Sequence, residues 1–117
     1  MNDFNVKELI DIIKNFCEER DWDQFHNPKD LAIGISTEAN ELLDIFRFKS
    51  DEQMIKLFNS SKREDIEDEL SDVFFFLLRF AQMNNINLSE ILKMKMEKNN
   101  LKYPVEKAKG SNSKYNE

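Results

Sequence analysis

Glycine occurs at only two positions of the 117-residue chain, Gly34 and Gly110, and proline at only two, Pro28 and Pro104. With so few breakers, helical patterns can run long, and a turn-rich β architecture has nowhere to put its turns. The single cysteine, Cys17, excludes an intramolecular disulfide framework. On an apolar helical stripe a lone cysteine reads as a small buried hydrophobe, and a reducing compartment suits it. No run approaches the ~18 apolar residues of a membrane span. The opening MNDFNVKELIDIIKNF is acidic and amphipathic, without the basic n-region of a signal peptide. An excess of positive charge is also missing: the formal net charge is -6, which argues against binding a nucleic-acid polymer, because phosphate backbones are held by clustered Lys and Arg. These absences point to a cytoplasmic protein with no membrane association.

What is present is helical. Ten phenylalanines and a hydrophobic content of 40% suit one compact domain whose modest core would gain from a partner subunit. Val6, Leu9, Ile10, Ile13, Phe16 and Cys17 form a stripe at the 3, 4 spacing, which predicts a first helix from about Asn5 to Arg20. A loop, DWDQFHNP, follows. A second helix should start near Pro28 to Asp30 and run to about Phe46. SDEQMIKLF reads as a brief helix capped by Ser50. Ser60 or Ser61 should cap a long helix to about Met83, and Ser89 another to about Asn100. The expected architecture is all-α, a four- to five-helix bundle over residues 1–104, followed by a polar, irregular tail over 105–117 that could reach an active site.

The charges are unevenly placed. Acids crowd from Glu64 to Asp72, while Lys93, Lys95, Lys98, Lys102, Lys107, Lys109 and Lys114 make the last quarter basic. A ligand with both metal-bound and lysine-bound phosphates would match that asymmetry. At about 100° per residue, Glu38 falls within the arc of Leu31, Ile35, Leu42 and Ile45, with Glu41 beside it. On the long helix Glu69 and Asp72 fall within the arc of Ile66, Val73, Phe76, Leu77 and Phe80. Each helix thus aims two acids, three positions apart, at the packed interior. An ionised carboxylate removed from water costs several kcal/mol unless paired or metal-bound. Either Arg47, Arg63 or Arg79 neutralises these acids in buried ion pairs, or a divalent cation does. Two matching pairs on two apolar arcs favour the cation. Oxygen-only ligands without His or Cys point to Mg²⁺, with Mn²⁺ as a substitute.

The motifs RDWDQFHNP at 20–28, EANEL at 38–42, FRFKSD at 46–51, EDELSDV at 67–73 and KYPVEKAKGSNSKY at 102–115 together resemble the MazG-like all-α nucleoside triphosphate pyrophosphohydrolases, and among them the dCTP pyrophosphatases. The resemblance implies Mg²⁺-dependent hydrolysis of a nucleoside triphosphate to the monophosphate and pyrophosphate, in a homodimer or homotetramer. It implies Glu38, Glu41, Glu69 and Asp72 as metal ligands, with Glu38 or Glu41 favoured as general base, and Trp22 as an aromatic against the nucleobase. Phe48 and Phe76 stand where Trp and Tyr are usual, and Ile13 where a His can occur. Stacking survives these changes while hydrogen-bonding groups are lost, so the reaction is implied more firmly than a choice of cytosine. In the tail, Lys102 and Lys114 are expected at phosphates, within a string that also includes Lys107, Lys109, Ser111 and Tyr115. His26, in the FH part of the loop motif, is expected to be a structural hydrogen-bonder. A competing expectation is a catalytically inactive helical module that binds nucleotides or proteins and keeps its acids as an ion-pair network.

Overall fold

The computed structural model describes residues 3–114 and is helical, with the order α1 (Val6–Glu19), α2 (Pro28–Phe46), α3 (Asp51–Leu57), α4 (Lys62–Met83), α5 (Leu88–Lys102) and α6 (Val105–Ala108). The starts of the helices follow from local chemistry. Asn5 accepts at its side chain from the Glu8 N–H at 2.8 Å, and Asn27 does the same for Asp30 at 2.8 Å. Each such cap satisfies an otherwise orphaned donor and contributes about 1 kcal/mol. Pro28 sits in the first turn of α2, where its missing N–H is not needed. Ser50 and Gln53 exchange hydrogen bonds in a capping box that starts α3.

Two local expectations need correction, and the cap of α4 is shared between the two serines expected for it. The fifth helix is capped by Asn87, whose side chain accepts from the Glu90 N–H at 3.1 Å, and Ser89 lies inside its first turn. Ser61 stands at the cap of α4 but makes no side-chain cap bond; the Ser60 hydroxyl instead accepts from the Lys62 N–H at 3.2 Å. The stretch after Pro104, expected to be irregular, contains α6, because the Pro104 carbonyl accepts from Lys107 and Ala108 and starts a turn of helix-tolerant residues.

The chain forms two compact units, one reaching to Asn85 and carrying α1 to α4, the other starting at Ile86 and carrying α5 and α6. In the first, α4 packs along α2 and, less extensively, against α1. The buried apolar residues are Cys17 on α1, Leu31 on α2, and Ile66, Leu78 and Ala81 on α4. Gly34 lets the two long helices close up: a Cβ there would lie 2.6 Å from two ring carbons of Phe76. This core is small. Leu70, Phe74 and Leu77 on α4 remain 57%, 43% and 41% exposed. In the second unit Leu92, Met94 and Met96 on α5 are exposed too.

The largest fully buried side chain is a charged one, Arg79. Its Nη2 pairs with Asp23, its Nε donates to His26 Nδ1 at 2.8 Å, and its Nη1 donates to Gln82 at 2.5 Å. A guanidinium left buried without such partners costs about 3–5 kcal/mol, so the partners are a condition of its burial. Arg79 therefore serves the loop between α1 and α2, and not the acids of the two long helices.

Candidate functional site

The acids meet at the contact between α2 and α4. One carboxylate oxygen each from Glu38, Glu41 and Glu69 lie within 4.8 Å of one another. Glu38 and Glu41 project from one face of α2 because they are three residues apart, and Glu69 faces them from α4. Asp72, one turn beyond Glu69, is exposed and stands outside this triad, yet near enough for its negative charge to help raise Glu38. The expectation that all four acids point into the packed interior is thereby modified. Glu38 and Glu69 are half-buried, whereas Glu41 and Asp72 are exposed, so the cluster lies at the rim of the helix contact and is open to a ligand.

The electrostatics of the triad are those of carboxylates without counter-charge. Burial pushes Glu38 above the usual carboxylate range, with Glu41 beside it adding to the effect. A hydrogen bond from Glu41, then burial, then Glu38 raise Glu69 to about 7. Carboxyl groups hydrogen-bond each other only through a proton held by one of them, so without a cation the cluster keeps a proton that an exposed glutamate would lose. No donor among the described residues meets the buried Oε2 atoms of Glu38 and Glu69. The arginines do not substitute for one: Arg79 pairs with Asp23, Arg63 with Glu67, and Arg47 lies over the Phe48 ring at 4.7 Å. Orphaned buried oxygens from two of three clustered acids, with neither nitrogen nor sulfur in the cluster, fit a hard divalent cation.

The three expected aromatic positions differ in where they stand. Phe76 sits one turn after Asp72 and covers Gly34, which is one turn before Glu38, so its half-buried ring stands one helical turn from the acids on each of the two helices. Its edge meets Phe75 at 5.2 Å between centroids, Phe75 meets Phe16 at 6.1 Å, and Phe16 meets Trp22 at 5.5 Å. Trp22 is thus joined to Phe76 through a continuous row of edge-to-face rings. Phe48 differs: it follows the end of α2 with φ of 61° and is 89% exposed. A phenylalanine held at positive φ and offered to solvent is strained, an outlier that motivates a functional reading.

His26 has the structural hydrogen bond expected of it. Its Nδ1 accepts from Arg79, which places the ring proton on Nε2, and burial followed by the adjacent guanidinium pushes its pKa down. Asp23 and Gln82, the other partners of Arg79, were not legible as functional in the sequence. The available signal was a lone arginine on the apolar stretch of α4 together with an acid and a histidine three apart in the loop between α1 and α2. In the second unit Lys102 and Lys114 line a cavity of about 430 Å³ with Tyr103, Lys107 and Ser111. Tyr115 lies outside the described residues.

Comparison with known proteins adds a relationship to this geometry. The model of the MazG-like family matches residues 33–117. Among characterised proteins the chain is similar to dCTP pyrophosphatase 1 of Bos taurus, with 34% identity over 111 residues, covering 94% of this chain and 66% of that protein. It is similar to dCTP pyrophosphatase 1 of Homo sapiens as well, with 35% identity over 113 residues, 96% of this chain and 66% of the relative. The chain therefore spans just under two thirds of the length of these relatives. Its structure is similar to the crystal structure of a pyrophosphatase from Archaeoglobus fulgidus DSM 4304, with a TM-score of 0.79 and 37% identity over 89% of this chain and 96% of that one.

Proposed function

The chain belongs to the MazG-like family, and on that footing we propose that it hydrolyses nucleoside triphosphates, dCTP or related dNTPs, to the monophosphate and pyrophosphate. The observation that carries this reading is the triad of Glu38, Glu41 and Glu69 with two buried oxygens lacking any donor. Glu38, Glu41, Glu69 and Asp72 would hold Mg²⁺, or Mn²⁺ in its place. When bound, the ion supplies positive charge against the triphosphate oxygens and the charge that develops as the bridge breaks.

The remaining work falls to the side chains. A water oxygen attacks phosphorus, the bond between the α and β phosphates breaks, and the water proton passes to a carboxylate. Glu38 and Glu41 are the acceptors on α2, with Glu41 the more accessible of the two to a water. Trp22 and Phe76 offer ring faces and edges to the base, and Phe48 offers an exposed ring of the same kind. None of the three phenylalanine or isoleucine replacements at Phe48, Phe76 and Ile13 supplies a hydrogen-bonding group, which favours stacking over edge recognition of the base. Lys102 and Lys114 would contribute charge to phosphates. A homodimer or homotetramer would cover the exposed Leu70, Phe74 and Leu77 face of α4.

The test is incubation with each dNTP and Mg²⁺, with pyrophosphate and orthophosphate assayed separately. Pyrophosphate together with the nucleoside monophosphate is the expected result. Orthophosphate alone, or no product from any nucleotide, would count against the proposal. Light scattering coupled to size exclusion checks the oligomer, and a monomer at micromolar concentration would refute that part.

A further inference from the structure

The reading of the acids as a nucleoside triphosphate site leaves one costly feature unused: a fully buried arginine that spends its hydrogen bonds on a loop. Arg79 is seven residues beyond Asp72 on α4. Seven residues return a helix to within about 20° of the same direction and advance it by about 10 Å. Arg79 therefore stands on the same stripe as Asp72, displaced along the helix by a distance comparable with the reach from the phosphates to the base of an extended nucleotide.

At that point the guanidinium grips the loop twice. Nη2 takes Asp23 and Nε takes His26 Nδ1 at 2.8 Å, residues 56 and 53 positions away in the chain. Gln82, on the next turn of α4, accepts from Nη1 at 2.5 Å and fixes the remaining side of the fork. Trp22 lies immediately before this grip. Its N–H donates to the Cys17 carbonyl at 3.0 Å, and its own carbonyl accepts from Phe25 and His26. Its indole is held edge-to-face between Phe16 at 5.5 Å and His26 at 6.0 Å. One wall of the indole is thus the same imidazole that Arg79 orients.

We propose that Arg79 is a positioning residue for the nucleoside end of the substrate: by gripping Asp23 and His26 it sets the loop, and through the loop the Trp22 ring that meets the base. The rigid, planar fork of arginine suits the task, since one side chain engages an imidazole and a carboxylate in fixed relative orientation. An arginine that merely filled the core would not need both of its loop partners within four residues of the one tryptophan in the chain, one of them packed against the indole.

That tryptophan makes the test direct, because all indole emission comes from Trp22. Two full-length variants are compared with the unaltered protein. His26→Leu keeps bulk but removes the acceptor; His26→Asn places an amide oxygen where Nδ1 accepts. The expectation for His26→Leu is a red-shifted emission, stronger acrylamide quenching, and a KM for the dNTP raised about ten-fold with kcat within about two-fold, the pattern of lost uniform binding. His26→Asn should restore both the emission and the KM. The Mg²⁺-induced rise in Tm should be the same in all three proteins, since the acids are untouched. Should His26→Leu lower Tm while leaving emission and KM unchanged, Arg79 is a core fastener only and the proposal is overturned. If the unaltered chain turns over no nucleotide, the activity reading fails by itself, and equal emission from the two variants would still overturn the grip.

Discussion

Placing a methyl group on Gly34 tests the contact that brings the acids of α2 and α4 together. The substitution Gly34→Ala would put a Cβ 2.6 Å from two carbons of the Phe76 ring and 2.8 Å from a third. Carbon atoms prefer about 3.5–4.0 Å, so the ring or the helix must give by about 1 Å. The ring cannot yield freely, because its edge rests against Phe75 at 5.2 Å between centroids. Overpacking of this kind costs about 1–3 kcal/mol. Replacing a mid-helix glycine with alanine contributes about 0.5–1 kcal/mol in the opposite direction. The net expectation is a destabilisation of about 1 kcal/mol, reaching about 2. For a unit of this size each kcal/mol lowers Tm by about 4–8 °C. The same change in a Phe76→Leu background has no ring to meet and should express only the helix gain. A double-mutant cycle from urea unfolding at constant m should therefore show a coupling of about 1–3 kcal/mol between positions 34 and 76. Because Gly34 and Phe76 stand one turn from the acids on their helices, KM for the nucleotide should rise as well. A Gly34→Ala protein stabilised by the bare helix gain, or a cycle that closes without coupling, would refute the close approach and the placement of Phe76 that depends on it.

Three further outcomes follow from the site and its supports. Glu69 is raised to about 7 in the folded protein from 4.5, so the native state holds that proton more tightly than the unfolded chain. The metal-free protein should accordingly lose stability as pH rises from 4.5 through about 7, and Mg²⁺, which competes with the proton, should bind more tightly over the same interval; melts at several pH values with and without Mg²⁺ check this, and a flat metal-free profile would contradict it. Glu41→Ala and Asp72→Ala should each abolish pyrophosphate release and shrink the Mg²⁺-induced rise in Tm, which for the unaltered chain corresponds to about 2.7 kcal/mol at a hundred-fold excess over Kd; turnover persisting in both would remove the metal assignment. Asn27→Ala deletes the cap bond to Asp30 at 2.8 Å and should cost about 1 kcal/mol, read as a fall in Tm, with no fall meaning that α2 starts without it.

The sequence by itself determined the first five helices, though not α6, and singled out the acids. Scarcity of glycine and proline, the 3, 4 stripe ending in Cys17, and the Ser50 cap are local features, and local features set the boundaries of α1 to α5 to within a residue or two. The i, i+3 spacing likewise decided that Glu38 and Glu41 share one face and that Glu69 and Asp72 share another, because that follows from the pitch of a helix alone. Which of these acids actually meet was a tertiary matter. The crossing of α2 over α4, closed up at Gly34 against Phe76, brings Glu69 to Glu38 and Glu41 and leaves Asp72 one turn outside. The fate of Arg79 was decided at the same level. Read along the chain it was a possible counter-ion for the carboxylates; in the fold it turns to Asp23 and His26, more than fifty residues away. Helical pitch is encoded by neighbours in sequence, whereas the choice among several acids by one buried cation depends on which elements pack together, and no spacing rule carries that information.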